Sequence, residues 1–263
     1  MSSRRTLELE RGFYERHWKS TGEATHGRER ERIELTVSQV PPGTKRILDV
    51  GCGDGRLSQA IREKHDCFLV GFDLSTTALQ RLQGPKVCGS AAQMPFRDRS
   101  FDLLVCTEMM EHLPPEIYPQ VLKEFARVAG QSILITVPND ENLSENLAIC
   151  PSCGSQFHTW GHLRSFSAKT LKNLFGPFQL VRSFAFGEKV EKYNKGLLWI
   201  RQNLGASFAW DEKTVCYFCG SSQRPLPRRL FLHRACESLN GRFWAPFSKR
   251  PGWLLALYAR NTQ

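Results

Sequence analysis

A chain of 263 residues, 41% hydrophobic and 24% charged, carries enough apolar mass for a full packed core and is excluded from the disordered class. The formal net charge of +10 suits an anionic partner or a basic surface. No apolar run reaches the ~18 residues of a membrane span, and the first residues lack a signal-peptide core, so the expectation is a soluble, cytoplasmic protein, with peripheral attachment to a membrane surface left open. Residues 1–40 are charged and helical in pattern, with an aromatic cluster at Phe13, Tyr14 and Trp18. They read as an N-terminal helical cap closed by Pro41-Pro42-Gly43.

From residue 46 strand and helix signals alternate. Strands are predicted near 46–50, 68–72, 85–88, 101–106 and 131–137, and helices over 56–64 and 116–128. That rhythm is the signature of a parallel sheet. The first strand runs straight into Gly51, Gly53 and Gly55, and a helix pattern follows at once. Glycines at such a corner permit positive φ and a close approach of backbone to ligand. The second strand ends in Asp73, an acidic residue placed to receive the ribose hydroxyls of an adenosine. Beyond Pro138 the rhythm breaks. A serine-capped helix is predicted over 167–174, a sixth strand over 179–186, a long irregular stretch over 187–251, and a last strand over 253–259. The domain reading is a cap at 1–40, a cofactor-binding core at 41–140, and a remainder at 141–263 with insertions at 141–166 and 187–251.

Nine cysteines fit a disulfide framework poorly. Cys52, Cys67, Cys88 and Cys106 lie in or beside predicted strands, where free cysteine acts as a small buried apolar residue. Cys150-x-x-Cys153 and Cys216-x-x-Cys219 are each followed by glycine and look like zinc knuckles. Four thiolates satisfy one tetrahedral Zn²⁺, and a shared zinc would tie the two insertions into a lid; two local redox disulfides are the rival. The topology favours sharing, because the pairs follow the fifth and sixth strands.

The segments Asp49-Val-Gly-Cys-Gly-Asp-Gly55, Ser90-Ala-Ala-Gln-Met-Pro-Phe96, Phe101 to Pro114 and Ile133-Leu-Ile-Thr-Val-Pro-Asn139 resemble the class I S-adenosylmethionine-dependent methyltransferases. The resemblance implies a Rossmann-like α/β fold: a seven-stranded, mostly parallel sheet with helices on both faces, the last strand antiparallel beside the sixth. It also implies the cofactor residues. Gly51, Gly53 and Gly55 would border the methionine part, Asp49 would hold that loop or the ammonium group, and Asp73 would accept both ribose hydroxyls. Leu74 would pack on the adenine, Ala91 and Met94 would sit near the ring, and Thr107 would complete the set. Ser90 stands where many relatives carry an acidic residue.

Glu108-Met-Met-Glu-His112 follows the fourth strand. One reading makes it a polar turn common in the family. The other makes Glu108, Glu111 and His112 ligands of Mg²⁺ or Mn²⁺ with His162 downstream, an arrangement similar to that of ubiquinone-pathway and small-RNA methyltransferases. Without an ion, His112 or His162 is the candidate general base, with Glu111 beside it. From Ser221 to Gln263 eight Arg/Lys face a single acidic residue, Glu237. That region mixes cations with aromatics, which suits an anionic partner, and equally a helix packed on the domain with a basic outer face. The expected function is methyl transfer to a hydroxyl of a small or carrier-linked acceptor, a saccharide among them. RNA 2′-O-methylation and a non-catalytic binding protein of the same fold are the alternatives.

Overall fold

The structure, a computed structural model, describes residues 11–16, 18, 27–211, 214–225 and 229–261. The rest of the expected N-terminal cap, residues 1–10, 17 and 19–26, lies outside the described residues, as does Arg228 of the basic stretch. In chain order the elements are α1 (Gly27–Ser38), β1 (Arg46–Val50), α2 (Arg56–Lys64), β2 (Phe68–Asp73), α3 (Thr76–Arg81), β3 (Lys86–Cys88) and β4 (Phe101–Thr107). A 3₁₀ turn at Met110–His112 leads to α4 (Tyr118–Val128) and β5 (Ala129–Pro138). Then come β6 (Leu147–Ile149), β7 (Gln156–His158), β8 (Phe178–Val190), α5 (Lys195–Trp199), α6 (Leu230–Leu239) and β9 (Arg250–Arg260). The chain forms two compact units; the second consists of residues 139–165 and 188–252.

In the first unit the sheet order is β3-β2-β1-β4-β5-β9-β8. Strands β1 to β5 pair in parallel, and β9 runs antiparallel to β5. Neighbouring positions on each strand face opposite sides, so an unbroken apolar run feeds two cores at once. Leu48, Val70, Leu104 and Ile133 go to one face, where Val121, Phe125 and Val128 of α4 cover them. Ile47, Leu69, Leu103 and Leu134 go to the other, under Ile33 and Val37 of α1 and Leu57 and Ile61 of α2. The chain passes outward from β1 to β3 and then returns to β4 on the opposite side of β1. This switch in strand order opens a crevice at the carboxyl ends of β1 and β4.

Three expectations need correction. Residues 167–174 make turns rather than a helix. Ser167 and Thr170 bond each other's backbone and hydroxyls, an alternative to the helical ladder, and Gly176-Pro177 follows. Cys88 is exposed and Cys67 only partly buried. Cys88 lies on the three-residue edge strand β3, where Arg11 Nη2 donates to its Sγ at 3.3 Å. The stretch 187–251 is not irregular throughout: α5 and α6 each run on into a π-helical turn, over Ile200–Leu204 and Asn240–Trp244. Five helical residues in α5 are too few to register a period in sequence.

In the second unit β6 and β7 form an antiparallel hairpin, with Leu147 opposite His158. Ala148, Cys150, Phe157, Trp210 and Cys216 make its small core. Buried Arg201 pairs with Glu237 of α6 at 2.8 Å and stacks over Tyr193. Cys236 is the buried residue of α6, while Leu230, Phe231, Leu239, Phe243, Trp244 and Phe247 are exposed. The outer face of this region is therefore aromatic as well as basic.

Candidate functional site

The crevice is built on the glycine corner. Gly51 has φ 74° and Gly53 φ 54°. A Cβ on Gly51 would lie 2.7 Å from Met109 Cγ, and one on Gly53 2.6 Å from the Trp18 ring, so both positions exclude a side chain. The Gly51 amide donates to Phe72 O at 2.8 Å, which fastens the loop to β2. At the end of β2, Asp73 accepts from the Gly53 amide at 2.9 Å through one oxygen and from the Ser75 amide at 2.8 Å through the other. Burial pushes its carboxyl up, and the backbone N–H donors of Ser75 and Gly53 oppose that rise.

Of the cofactor residues expected from sequence, Gly51, Gly53, Asp73, Leu74, Ser90 and Ala91 line this one cleft. Glu108 and His112 line it too. Asp49, Gly55, Met94 and Thr107 are not among the lining residues. Gly55 starts α2 at φ 85°. Met94 is buried in the core, its amide donating to Glu124 at 2.7 Å. Thr107 pairs with Thr136 in the sheet.

Asp49 is 1% exposed and accepts from Ser58 Oγ at 2.6 Å, so it braces α2 behind the loop. Burial pushes its carboxyl up to about 6, against the Ser58 hydrogen bond and with help from the charge of Asp73. The folded state therefore holds this proton more tightly than the unfolded chain. The group costs nothing below its ordinary value of 3.8 and destabilises the fold increasingly as pH rises through about 6. Asp49→Asn is thus expected to gain stability relative to the parent protein by ~3 kcal/mol on going from acid to pH 7. Urea unfolding of both proteins across that range measures it; a pH-independent difference contradicts the assignment.

The cleft has walls that the sequence did not assign to it. Tyr14, Trp18, Met109, Leu113 and Ile117 close it with apolar surface. Tyr14 meets the His112 ring edge-on at 6.1 Å between centroids. The helical segment 11–16 is anchored by Glu15, which accepts from the Thr76 amide at 2.7 Å and the Thr77 amide at 3.2 Å at the start of α3. The available signal was the aromatic cluster Phe13, Tyr14 and Trp18.

In the carboxylate–histidine segment Glu108 has φ 53°, its amide donates to Thr136 O at 3.0 Å, and its Oε2 accepts from Trp253 Nε1 at 2.9 Å. Glu111 is fully buried, with Oε1 4.0 Å from His112 Nε2. His162 belongs to the second unit.

Also in the second unit, the four knuckle cysteines come together across 63 and 69 residues of sequence. Cys150 Sγ lies 3.6 Å from Cys219 Sγ and Cys153 Sγ 3.7 Å from Cys216 Sγ, and all four sulfurs are within 4.8 Å of one another. All are free thiols. The two knuckles repeat one hydrogen-bond pattern. Gly154 N donates to Cys150 O and Gly220 N to Cys216 O, while Cys150 N donates to Ser155 O and Cys216 N to Ser221 O. Gly154 and Gly220 take φ 71° and 74°, which turns the chain back beneath the sulfurs. Hydrogen bonds from the Ser155 hydroxyl and amide hold the Cys153 thiol below its ordinary range.

Residues 47–131 match the family described as a methyltransferase domain. The ubiquinone biosynthesis O-methyltransferase of Neisseria meningitidis is 27% identical over 110 residues, covering 37% of this chain and 46% of the relative. The 24-methylenesterol C-methyltransferase 2 of Arabidopsis thaliana is 36% identical over 106 residues, covering 35% and 29%. The chain thus spans less than half the length of these curated relatives. Among solved structures, magnesium protoporphyrin IX methyltransferase from Synechocystis with bound SAH superposes with a TM-score of 0.54 at 11% identity, covering 97% of this chain and 99% of that one. Such a likeness shows the fold. No helix among the described residues is long and apolar enough to cross a membrane. The segment that builds the glycine corner, the acidic strand end and much of the cleft between them, residues 47–131, is thus a methyltransferase domain similar to those of class I S-adenosylmethionine-dependent methyltransferases.

Proposed function

We propose that the protein transfers a methyl group from S-adenosylmethionine to a hydroxyl of a small or carrier-linked acceptor, saccharides included. The observation that carries this reading is the cleft of Gly51, Gly53 and Asp73, walled by apolar side chains and built by the segment that matches methyltransferase domains. When bound, the cofactor supplies an activated methyl group on a sulfonium, open to in-line displacement. The protein's part is alignment and exclusion of water. The side-chain-free backbone at Gly51 and Gly53 lets Met109 and the Trp18 ring close on the loop, Asp73 receives ribose hydroxyls, and Tyr14, Trp18, Met109 and Ile117 keep the site dry. His112 on the cleft wall, or His162, takes the acceptor's proton as the hydroxyl attacks.

Oxygen is preferred as the acceptor atom because Val137-Pro138-Asn139 departs from the Asn/Asp-Pro-Pro-Tyr motif of amino methylation. The test is transfer of tritiated methyl from S-adenosylmethionine into cell extract separated into RNA, lipid and soluble glycan fractions. Label in the soluble glycan or another small-molecule fraction supports the proposal. Label in RNA replaces it with 2′-O-methylation, which the +10 charge would serve. Cofactor binding without label anywhere leaves a non-catalytic binding protein.

A divalent ion at Glu108, Glu111 and His112 would act on the acceptor oxygen by lowering its pKa. In that case a chelator should stop transfer and Mg²⁺ or Mn²⁺ should restore it. Full transfer in chelator, with thiolate-bound zinc retained, assigns the proton to a histidine alone. A structural zinc is the second part of the proposal. Four sulfurs at about 2.3 Å from a tetrahedral zinc lie about 3.8 Å apart, and the cross-knuckle pairs Cys150–Cys219 and Cys153–Cys216 are at 3.6 and 3.7 Å. Two exposed and two buried cysteines hold such an ion at the edge of the small core.

A further inference from the structure

We infer that Glu141 and His158 are positioning residues that hold His162 in a single tautomer, with the proton on Nδ1 and the lone pair on Nε2. The catalytic consequence rests on the reading of His162 as an acceptor base given above; the tautomer itself follows from the second unit alone.

The argument starts at His158. Its Nδ1 receives two backbone N–H groups, from Trp160 and from His162, each at 3.2 Å. A ring nitrogen that accepts cannot carry the proton, so the hydrogen of this imidazole is on Nε2. That nitrogen sits 3.4 Å from Glu141 Oε1, which also accepts from Asn146 Nδ2 at 3.2 Å. The other carboxylate oxygen, Oε2, lies 2.5 Å from His162 Nδ1. Oε1 thus faces two N–H groups, the Asn146 amide and the proton-bearing His158 Nε2, a setting that favours the ionised carboxylate. An ionised carboxylate only accepts, so His162 Nδ1 must be the donor. In the neutral ring Nε2 is then the basic nitrogen.

The surroundings keep this arrangement rigid. The side chains of His158, His162 and Glu141 are 2%, 12% and 16% exposed. The two imidazoles stack with centroids 4.8 Å apart and planes 16° from parallel. Gly161, at φ 75°, turns the chain so that the His162 amide returns to Nδ1 of His158. His158 ends β7, and the turn joining β6 to β7 is the first cysteine knuckle, so the relay and the thiolate cluster share one hairpin.

The same assignment disposes of a competing use. Two imidazoles and a carboxylate with ligand atoms within 4.8 Å have the composition of a metal triad. A histidine bound to metal through Nε2 keeps its other nitrogen as an N–H donor. Two amides aimed at His158 Nδ1 forbid that, so the trio orients rather than ligates.

The experiment is long-range ¹H–¹⁵N NMR of the imidazoles in the labelled full chain at neutral pH. Opposite tautomers are expected: lone pair on Nδ1 in His158 and on Nε2 in His162. A His162 lone pair on Nδ1 overturns the proposal. Glu141→Gln should abolish the single His162 tautomer and lower methyl transfer at least tenfold, with cofactor affinity within twofold of the parent and partial recovery in Glu141→Asp. Retention of the His162 tautomer in Glu141→Gln overturns the positioning role. If the tautomers are as assigned but His162→Gln transfers methyl at the full rate, the base reading fails and the orientation stands.

Discussion

Asp73→Ala is expected to lower S-adenosylmethionine affinity at least tenfold in a chain that still folds. Two charge-assisted hydrogen bonds to a ribose would go with the carboxylate, each worth ~1.5–3 kcal/mol. The loop would lose support as well, since the Gly53 and Ser75 amides both donate to this side chain at 2.9 and 2.8 Å. The β1–β2 register and the two cores do not involve the side chain, so the sheet survives. Calorimetric titration of the parent and variant proteins decides it, with circular dichroism as the check on folding. Asp73→Asn separates the two contributions, because the amide oxygen can still accept from one backbone amide without charge. An affinity equal to the parent's in folded Asp73→Ala would refute the cofactor site.

Loss of one knuckle cysteine is expected to empty the zinc site and to lower methyl transfer together. Cys153→Ser or Cys219→Ser should take zinc from one per chain to near none by elemental analysis. Thiolate coordination of this type contributes folding free energy directly. Without it the β6–β7 hairpin loses the cross-link between residues 150–153 and 216–219, and with it the setting of His158 at the hairpin's end. Cofactor affinity should stay within about twofold, because the glycine corner and Asp73 are built by the first unit, whose cores contain none of these cysteines. Metal-free parent protein with full transfer, or with Cys150–Cys153 and Cys216–Cys219 disulfides, would overturn the zinc assignment.

The sequence by itself determined those features that depend on neighbours along the chain. Apolar runs such as Ile47-Leu48 and Leu103-Leu104 read as buried strands, and the structure sends their alternate residues to the two cores. Glycine at 51 and 53 specified the left-handed corner, because positive φ is a local steric property. Each cysteine knuckle was legible for the same reason: its turn closes within five residues. Local signals failed where side chains satisfied the backbone in another way, as with Ser167 and Thr170, or where a helix was as short as α5.

Only the tertiary structure decided which distant groups meet. It joined Cys150 to Cys219 across 69 residues, brought Tyr14 and Trp18 to the wall of the cleft, and set Asp49 against the Ser58 hydroxyl. It also placed the amides of Trp160 and His162 on one ring nitrogen of His158 and so fixed the proton of His162. The spacing of residues carries no record of such contacts. They are set by long-range packing, which closes loops at an entropic cost that grows only slowly with their length and so leaves the choice of partner to the folded core.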